Sequence, residues 1–413
     1  MNAVCLVKLG VTRGTHHEVV KVAIVAESFL PHVNGVTNSV LRTLDHLELT
    51  GHSAVVITPA ASLAGELKGH SVPRSYKGFL IITVPSVAMV NYPEVRLAAG
   101  GVGRLKRILA REAPDVVHLA SPFLLGWRAL RAAQELNIPS VAMYQTEVPT
   151  YAARYKMPWL TEKLWDHVRA IHTTADLTLV PSTFSRRQLE SLGVTRLVLS
   201  GRGVDTVQFT PQRRDAKFRE AIAPTGERII GYVGRLAAEK QVADLRVLSS
   251  LPNTRLVIVG SGPLEDELRS ILPTAHFTGF LSGTRLAEVI ASFDVFVHPG
   301  ASETFCQTIQ EAMACAVPVV AVGRGGPLDL VDSSRTGWLY APGDLNELRD
   351  RVSDLIYDDA KRLAFASAAH AQVQDRSWFR IGEELLQSYW TVRSERVRSG
   401  HQTGGWPGRK ISS

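Results

Sequence analysis

A chain of 413 residues exceeds what one hydrophobic core ordinarily organises and suits two domains. Its 45% hydrophobic and 21% charged residues are those of a soluble globular protein. Three cysteines, Cys5, Cys306 and Cys315, with no C-x-x-C pair exclude a disulfide framework and fit a reducing cytoplasm. The formal charge of +7 lies in the first half: residues 1–205 hold 22 Lys/Arg against 15 Asp/Glu, and the remainder holds 24 of each. A basic half suits nucleic acid, an anionic membrane or an acidic substrate, beside the plainer reading of solvated helix faces.

In chain order, MNAVCLVKLGVTRGTHHEVV makes a poor signal peptide, and residues 1–20 are expected to be a disordered overhang. No run approaches the roughly 18 apolar residues of a spanning helix. VKVAIVAE (20–27), SAVVITP (53–59), FLIITVP (79–85), DVVHLA (115–120), PSVAMY (139–144) and LTLVPS (177–182) read as strands apolar on both faces, as in a helix-covered parallel sheet. GRGVDTVQFTPQRRDAKFREAIAPTGE (201–227) mixes glycine, proline and charge and marks a linker near 201–215. The rhythm resumes with RIIGYVG (228–234), TRLVIVG (254–260), AHFTGF (275–280), DVFVHP (294–299) and PVVAV (318–322). Helical patterns such as PLEDELRSIL, GTRLAEVIASF and TFCQTIQEAMA intervene. The alternation predicts an α/β fold of two doubly wound units, over 21–205 and 206–376, facing an inter-domain cleft. A helix is expected over 377–398 and a disordered tail over 399–413.

Three loops at strand carboxyl ends, where open α/β sheets bind ligands, carry the candidate chemistry. Gly35, before an evident helix, lets an anion approach the main chain. Arg235 and Lys240, in VGRLAAEK, bracket a strand-to-helix turn and suit phosphate oxygens. Seven residues stand between Glu303 and Glu311, and eight residues of helix rise about 12 Å. Paired glycosidase carboxylates lie roughly 5 to 9.5 Å apart, so the spacing speaks against hydrolysis. It fits a long ligand along the helix, with a pyrophosphate at the N-terminus and polar rings on either side.

ETFCQTIQEA, with VGRLAAEK, HVNGVTNSV and the GRGVD linker, resembles the retaining glycosyltransferases of the GT-B fold, glycosyltransferase family 4, from about residue 21 to 395. Within that family, VAIVAESFLPHVNGVTNSV, DVVHLASP and SETFCQ are similar to the mycobacterial GDP-mannose-dependent α-mannosyltransferases that build envelope glycolipids. The resemblance implies two Rossmann-like domains, the first binding acceptor and the second donor nucleotide, with the C-terminal helix returning to the first. It implies that Arg235 and Lys240 bind the donor pyrophosphate, Glu303 the hexose and Glu311 the ribose. Gly35 would pack against the diphosphate, Phe280 and Leu281 would touch the base, and Phe305 and Cys306 would complete the donor site. Transfer would proceed by same-face attack, the leaving phosphate taking the acceptor proton. GDP-mannose would be the donor, with no tightly bound cofactor and no obligatory metal, in keeping with the missing D-x-D motif. The implied acceptor is an anionic glycolipid, of phosphatidylinositol mannoside or glucuronosyl diacylglycerol type, in lipomannan or lipoarabinomannan biosynthesis. The chain would then work at the inner face of the plasma membrane as a peripheral protein.

Departures from the family pattern are Cys306 and Ala316, where glycine is common, and Ala120 and Gln145, where histidine is common. His118 and Gln145 are therefore candidates for acceptor or sugar contact beside the plainer reading of a satisfied strand-end histidine. VRLAAGGVGRLKRILAR (95–111) supplies Arg104, Lys106, Arg107 and Arg111 for an anionic membrane, on a helix expected to begin near Arg104 because glycines precede it. Another sugar nucleotide or a soluble acceptor is the alternative within the family. A dinucleotide oxidoreductase has only the near-match VIVGSGPLEDEL, with Glu265 at the third glycine. A nucleic-acid module lacks aromatics interleaved with its cations, so no nucleic-acid partner is expected.

Overall fold

The structure is a computed structural model and describes residues 18–32, 34–61, 71–89, 92–147 and 161–402. The expected overhang, apart from residues 18–20, and tail residues 403–413 lie outside the described residues.

The apolar runs of the first half become β1 (Lys21–Ala26), β2 (Ser53–Pro59), β4 (Phe79–Val84), β7 (Val116–Ala120), β8 (Ser140–Met143) and β9 (Leu177–Val180). Beyond the apolar runs the structure adds β3 (Ser75–Tyr76), the hairpin β5 (Ser86–Met89) with β6 (Tyr92–Ala98), and β10 (Leu197–Leu199). β3 and β10 are edge strands, too short and too exposed to give an apolar run. The eight-stranded sheet runs β10-β9-β8-β7-β1-β2-β4-β3, parallel except where β3 meets β4.

In the second half, β11 (Arg228–Val233), β12 (Thr254–Val259), β13 (His276–Gly279), β14 (Val295–His298), β15 (Val319–Val322) and β16 (Gly337–Tyr340) form a parallel sheet ordered β13-β12-β11-β14-β15-β16. β16, in GWLY, is the addition here. The order in which successive strands are added reverses between β1 and β7 in one sheet and between β11 and β14 in the other, the strands staying parallel. Strand-end loops diverge at such points and leave a crevice.

Helices cover both faces of each sheet, which is why the central strands are apolar throughout. On one face of the first sheet, Leu44 and Leu47 from the helix Gly35–Thr50 pack with Leu385 and Tyr389 from the C-terminal helix. On the other face lie Leu105 and Leu109, with Ala129 and Leu130. Each fully buried leucine of this kind contributes about 1.5–3 kcal/mol relative to exposure. The helix Gly35–Thr50 is capped at both ends: Asn34 accepts from Val36 and Thr37 N–H, and Gly51 closes it at φ 78°.

The basic helix runs Val102–Glu112, so Gly103 lies inside its first turn and the start falls before Arg104. A single glycine costs only about 1 kcal/mol, which the burial of Leu105 and Leu109 offsets. The C-terminal helix is Trp378–Gln402, four residues longer at its end than the sequence reading placed it. Two connections cross between the sheets, joined by a parallel bridge from Val204 to Ser377. A Cβ on Gly203 would lie 2.5 Å from the Trp378 backbone, so this crossing admits only glycine.

Candidate active site

The reversal between β11 and β14 brings VGRLAAEK, after one strand, beside the Ser302–Cys306 loop, after the other. Lys240 follows β11 and Glu303 follows β14, and the Lys240 ammonium donates to Glu303 Oε1. His298 Nε2, at the end of β14, reaches the same oxygen at 3.0 Å. Burial alone raises the Glu303 carboxyl, but Lys240 and His298 outweigh it and hold it down at about 2. Burial lowers His298, yet the Cys306 sulfur and Glu303 raise it to about 9. His298, Glu303 and Cys306 offer metal-ligand atoms within 4.8 Å of one another. The Lys240 ammonium already occupies the Glu303 oxygen a cation would take, so Glu303 reads as a carboxylate held between two cations, Lys240 and His298.

The loop carrying Glu303 is fixed from beneath. Gly326 N–H donates to the Glu303 carbonyl at 2.8 Å, and a Cβ there would strike the Phe305 carbonyl at 2.1 Å. The helix then begins only at Gln307, after Cys306 in the left-handed region at φ 77°. Glu303 therefore precedes the helix, and the helical rise anticipated between the two carboxylates applies only from Gln307 to Glu311, little more than one turn. Glu311 lies within the helix, half-buried. Burial pushes its carboxyl up to about 8 against the opposing charge of Arg42. Residues 238–240 and 242–248 are 3-10 helices, where an α-helix had been expected after Lys240. Arg235 is exposed on the same loop.

Other expected residues fall less simply. Phe305 and Cys306 are buried against the second-half core, 3% and 7% exposed, and of the two the Cys306 sulfur reaches the His298–Glu303 cluster. Phe280, 67% exposed, and Leu281 follow the edge strand β13, two strands from β11. Gly35 is exposed at its helix start, but Asn34 already takes the Val36 and Thr37 N–H groups that an anion would use. His118 is not brought to the crevice. It is buried in β7, with Nδ1 2.7 Å from Tyr389 Oη on the C-terminal helix, and burial lowers it to about 4. Ala316 sits at φ 54°, so both glycine-favoured positions hold side chains in left-handed backbone.

The first half meets this crevice through Gln145, whose carbonyl accepts from Thr304 Oγ1 at 2.8 Å. Two residues were passed over in the sequence. His298 looked like the end of an apolar strand, though its place five residues before Glu303 was the available signal. Arg202 lies in the GRGVD linker, where the flanking glycines are the more visible signal. Its Nη2 donates to Gln145 Oε1 at 2.6 Å and its Nη1 to the Gly35 carbonyl at 3.3 Å, while Gln310 Nε2 donates to its backbone carbonyl.

Two doubly wound sheets, each with a crevice where strand order reverses and joined by crossing linkers, form the GT-B architecture. The signature described as Glycosyltransferase Family 4 matches residues 33–208, and that of Glycosyl transferases group 1 matches 213–372. A GDP-mannose-dependent alpha-mannosyltransferase of Mycobacterium tuberculosis is 45% identical over 92% of this chain and 98% of its own. A GDP-mannose-dependent alpha-(1-6)-phosphatidylinositol dimannoside mannosyltransferase of the same species is 29% identical over 77% of this chain and 83% of its own. The fold is shared with sucrose-phosphate synthase of Thermosynechococcus elongatus, at TM-score 0.77 and 21% identity over 91% of this chain and 100% of that one. The chain belongs to glycosyltransferase family 4 and is a glycosyltransferase.

Proposed function

We propose that the chain transfers α-mannose, with retention, from GDP-mannose to an anionic glycolipid of the phosphatidylinositol mannoside or glucuronosyl diacylglycerol type. The observation that carries this reading is the Lys240–Glu303–His298 cluster at the β11–β14 reversal, in a chain whose 45%-identical relative is named for GDP-mannose.

In this reading the second half, 206–376, holds the donor and the first, 21–205, the acceptor. Lys240 and Arg235 meet the diphosphate, where cations stabilise the charge that develops as GDP departs. Glu303, kept ionised, accepts from mannose hydroxyls. Glu311 accepts from the ribose, and the loop of Phe280 and Leu281 borders the base. The Gly35 loop closes over the diphosphate, on which the acceptor proton arrives. No protein nucleophile is required, because the acceptor oxygen attacks from the face that GDP leaves.

No helix among the described residues is long and apolar enough to cross a membrane. Docking at the inner face of the plasma membrane would instead use the basic helix. Arg104, Arg107 and Arg111 are exposed there, while Leu105 and Leu109 are buried, which makes the contact electrostatic. Lys106 is engaged with Glu135 at 2.9 Å. Calorimetry with GDP, UDP and ADP tests the donor assignment: GDP binds tightest if the reading holds, and preference for UDP or ADP removes GDP-mannose as the donor.

A further inference from the structure

Gln145 Nε2 and Ser200 Oγ are buried without a hydrogen-bond partner among the described residues, and their residues are only 7% and 6% exposed. Leaving such donors unpaired is costly, so the site is built for a group that accepts from them. Both residues line a small, partly open cavity of about 20 Å³, together with Arg42, Arg202, Ser39 and Trp378.

Arg202 adds the charge. Its guanidinium bonds only to the Gly35 carbonyl and the Gln145 side chain, and no carboxylate lies within ion-pairing distance among the described residues. A guanidinium stays charged in proteins; burial lowers the Arg202 pKa to about 10, and the charge of Glu303 only partly offsets it. The nearby carboxylates are engaged elsewhere: Glu303 is held by Lys240 and His298, and Asp205 reaches Arg42 at 3.5 Å. The Glu311 carboxyl lies toward Arg42 and is held largely uncharged at neutral pH.

Every residue lining the cavity comes from the first half, the linker before Gly203 or the C-terminal helix. None comes from the stretch that carries Arg235, Lys240 and Glu303. The cavity is therefore separate from the donor side, while Gln145 and Arg202 stand at the boundary between the two.

We propose that this cavity is an anion subsite for the acceptor, in which Arg202 and Gln145 Nε2, backed by Ser200 and Arg42, hold a phosphate or carboxylate group. The inference rests on the mannosyl-transfer reading for the identity of the ligand as acceptor. Donors from several residues lining one cavity suit a tetrahedral phosphate or a planar carboxylate equally, so the probes must separate them.

The test uses the whole chain saturated with GDP and measures binding of methyl glucuronide, inorganic phosphate and neutral methyl glucoside by calorimetry. Binding of either anion about tenfold or more tighter than the glucoside supports the subsite, and the stronger anion identifies the group. Arg202→Gln, which keeps a hydrogen-bonding amide but removes the charge, should weaken that binding about tenfold with GDP affinity unchanged. Ser200→Ala, a smaller change, should weaken it in the same direction and stands in if Arg202→Gln does not fold. Equal binding of glucoside and anions, or no binding at all, overturns the proposal and leaves the cavity to water. Loss of GDP affinity in Arg202→Gln without loss of anion binding also overturns it, because Arg202 would then serve the donor. Anion binding that survives in a chain unable to transfer mannose leaves the subsite standing and removes the transfer reading instead.

Discussion

Lys240 and Glu303, on loops leaving two adjacent parallel strands, form an ion pair whose carboxylate oxygen is shared with His298. Their side chains are only 20% and 13% exposed, so the pair is screened little by water. Lys240→Ala is expected to lower turnover by about a thousandfold, since it removes a cation from the departing diphosphate. It should also lower stability by about 3 kcal/mol, because it strips a buried carboxylate of its main partner. Adding Glu303→Gln should restore stability without restoring turnover. Steady-state rates and denaturant midpoints of the single and double variants check both halves, and a double variant that regains turnover would show that Lys240 acts only on Glu303.

The Glu303 carboxyl is held near 2 against 4.5 for an unperturbed group. A depressed carboxyl contributes stability that is present above the unfolded pKa and lost as pH falls through the folded one. Between about pH 4.5 and 2 the folded chain should therefore lose about 3 kcal/mol through this group. Denaturant titrations at several pH values should show a shallower acid slope for Glu303→Gln than for the native chain.

Glu311 has the opposite sign. Its carboxyl is raised to about 8, so the folded chain binds a proton more tightly than the unfolded chain and loses stability as pH rises from about 4.5 to 8. Glu311→Gln should raise the midpoint of unfolding at pH 8 and leave it unchanged at pH 4. If ribose hydroxyls donate to Glu311, GDP binding ionises it and releases up to one proton near neutral pH. Calorimetry in buffers of different ionisation enthalpy detects that release, and none should remain in Glu311→Gln.

Ala316 at φ 54° carries a side chain in left-handed backbone. Non-glycine residues there cost about 1–2 kcal/mol, partly offset by the greater unfolded-state freedom of glycine. Ala316→Gly should stabilise the chain by about 0.5–1 kcal/mol, read as a higher denaturant midpoint.

Arg104 and Arg107 face solvent without an acidic partner among the described residues, unlike Lys106 and Arg111, which meet Glu135 and Glu112. Each free cation near an anionic surface contributes about 1 kcal/mol. Reversing both to glutamate should abolish sedimentation with anionic liposomes at low salt while GDP binding persists. Undiminished sedimentation would place the membrane contact elsewhere.

The parallel sheets were legible because strands covered on both faces must be apolar throughout, as in VAIVA and VVAV. The edge strands β3 and β10 were not, since an exposed strand needs no such run, and β16 was hidden because its GWLY is only half covered. Lys240 and Glu303 were legible as charges at strand ends. Their contact depends on β14 lying beside β11, which is a property of sheet order rather than of local pattern. His298 was concealed by its strand, and Arg202 by a linker whose glycine was the more visible signal. Hydrophobic periodicity marks what is buried, whereas partners of buried polar groups are chosen by topology.

The most direct test of the account is transfer itself: the purified chain, GDP-mannose, and lipid acceptors bearing an anionic headgroup, with the product examined by mass spectrometry and by NMR of the anomeric carbon. The account predicts a lipid heavier by one hexose with mannose α-linked, formed from GDP-mannose in preference to UDP- or ADP-sugars. A β-linked product, or transfer only from another sugar nucleotide, would contradict it.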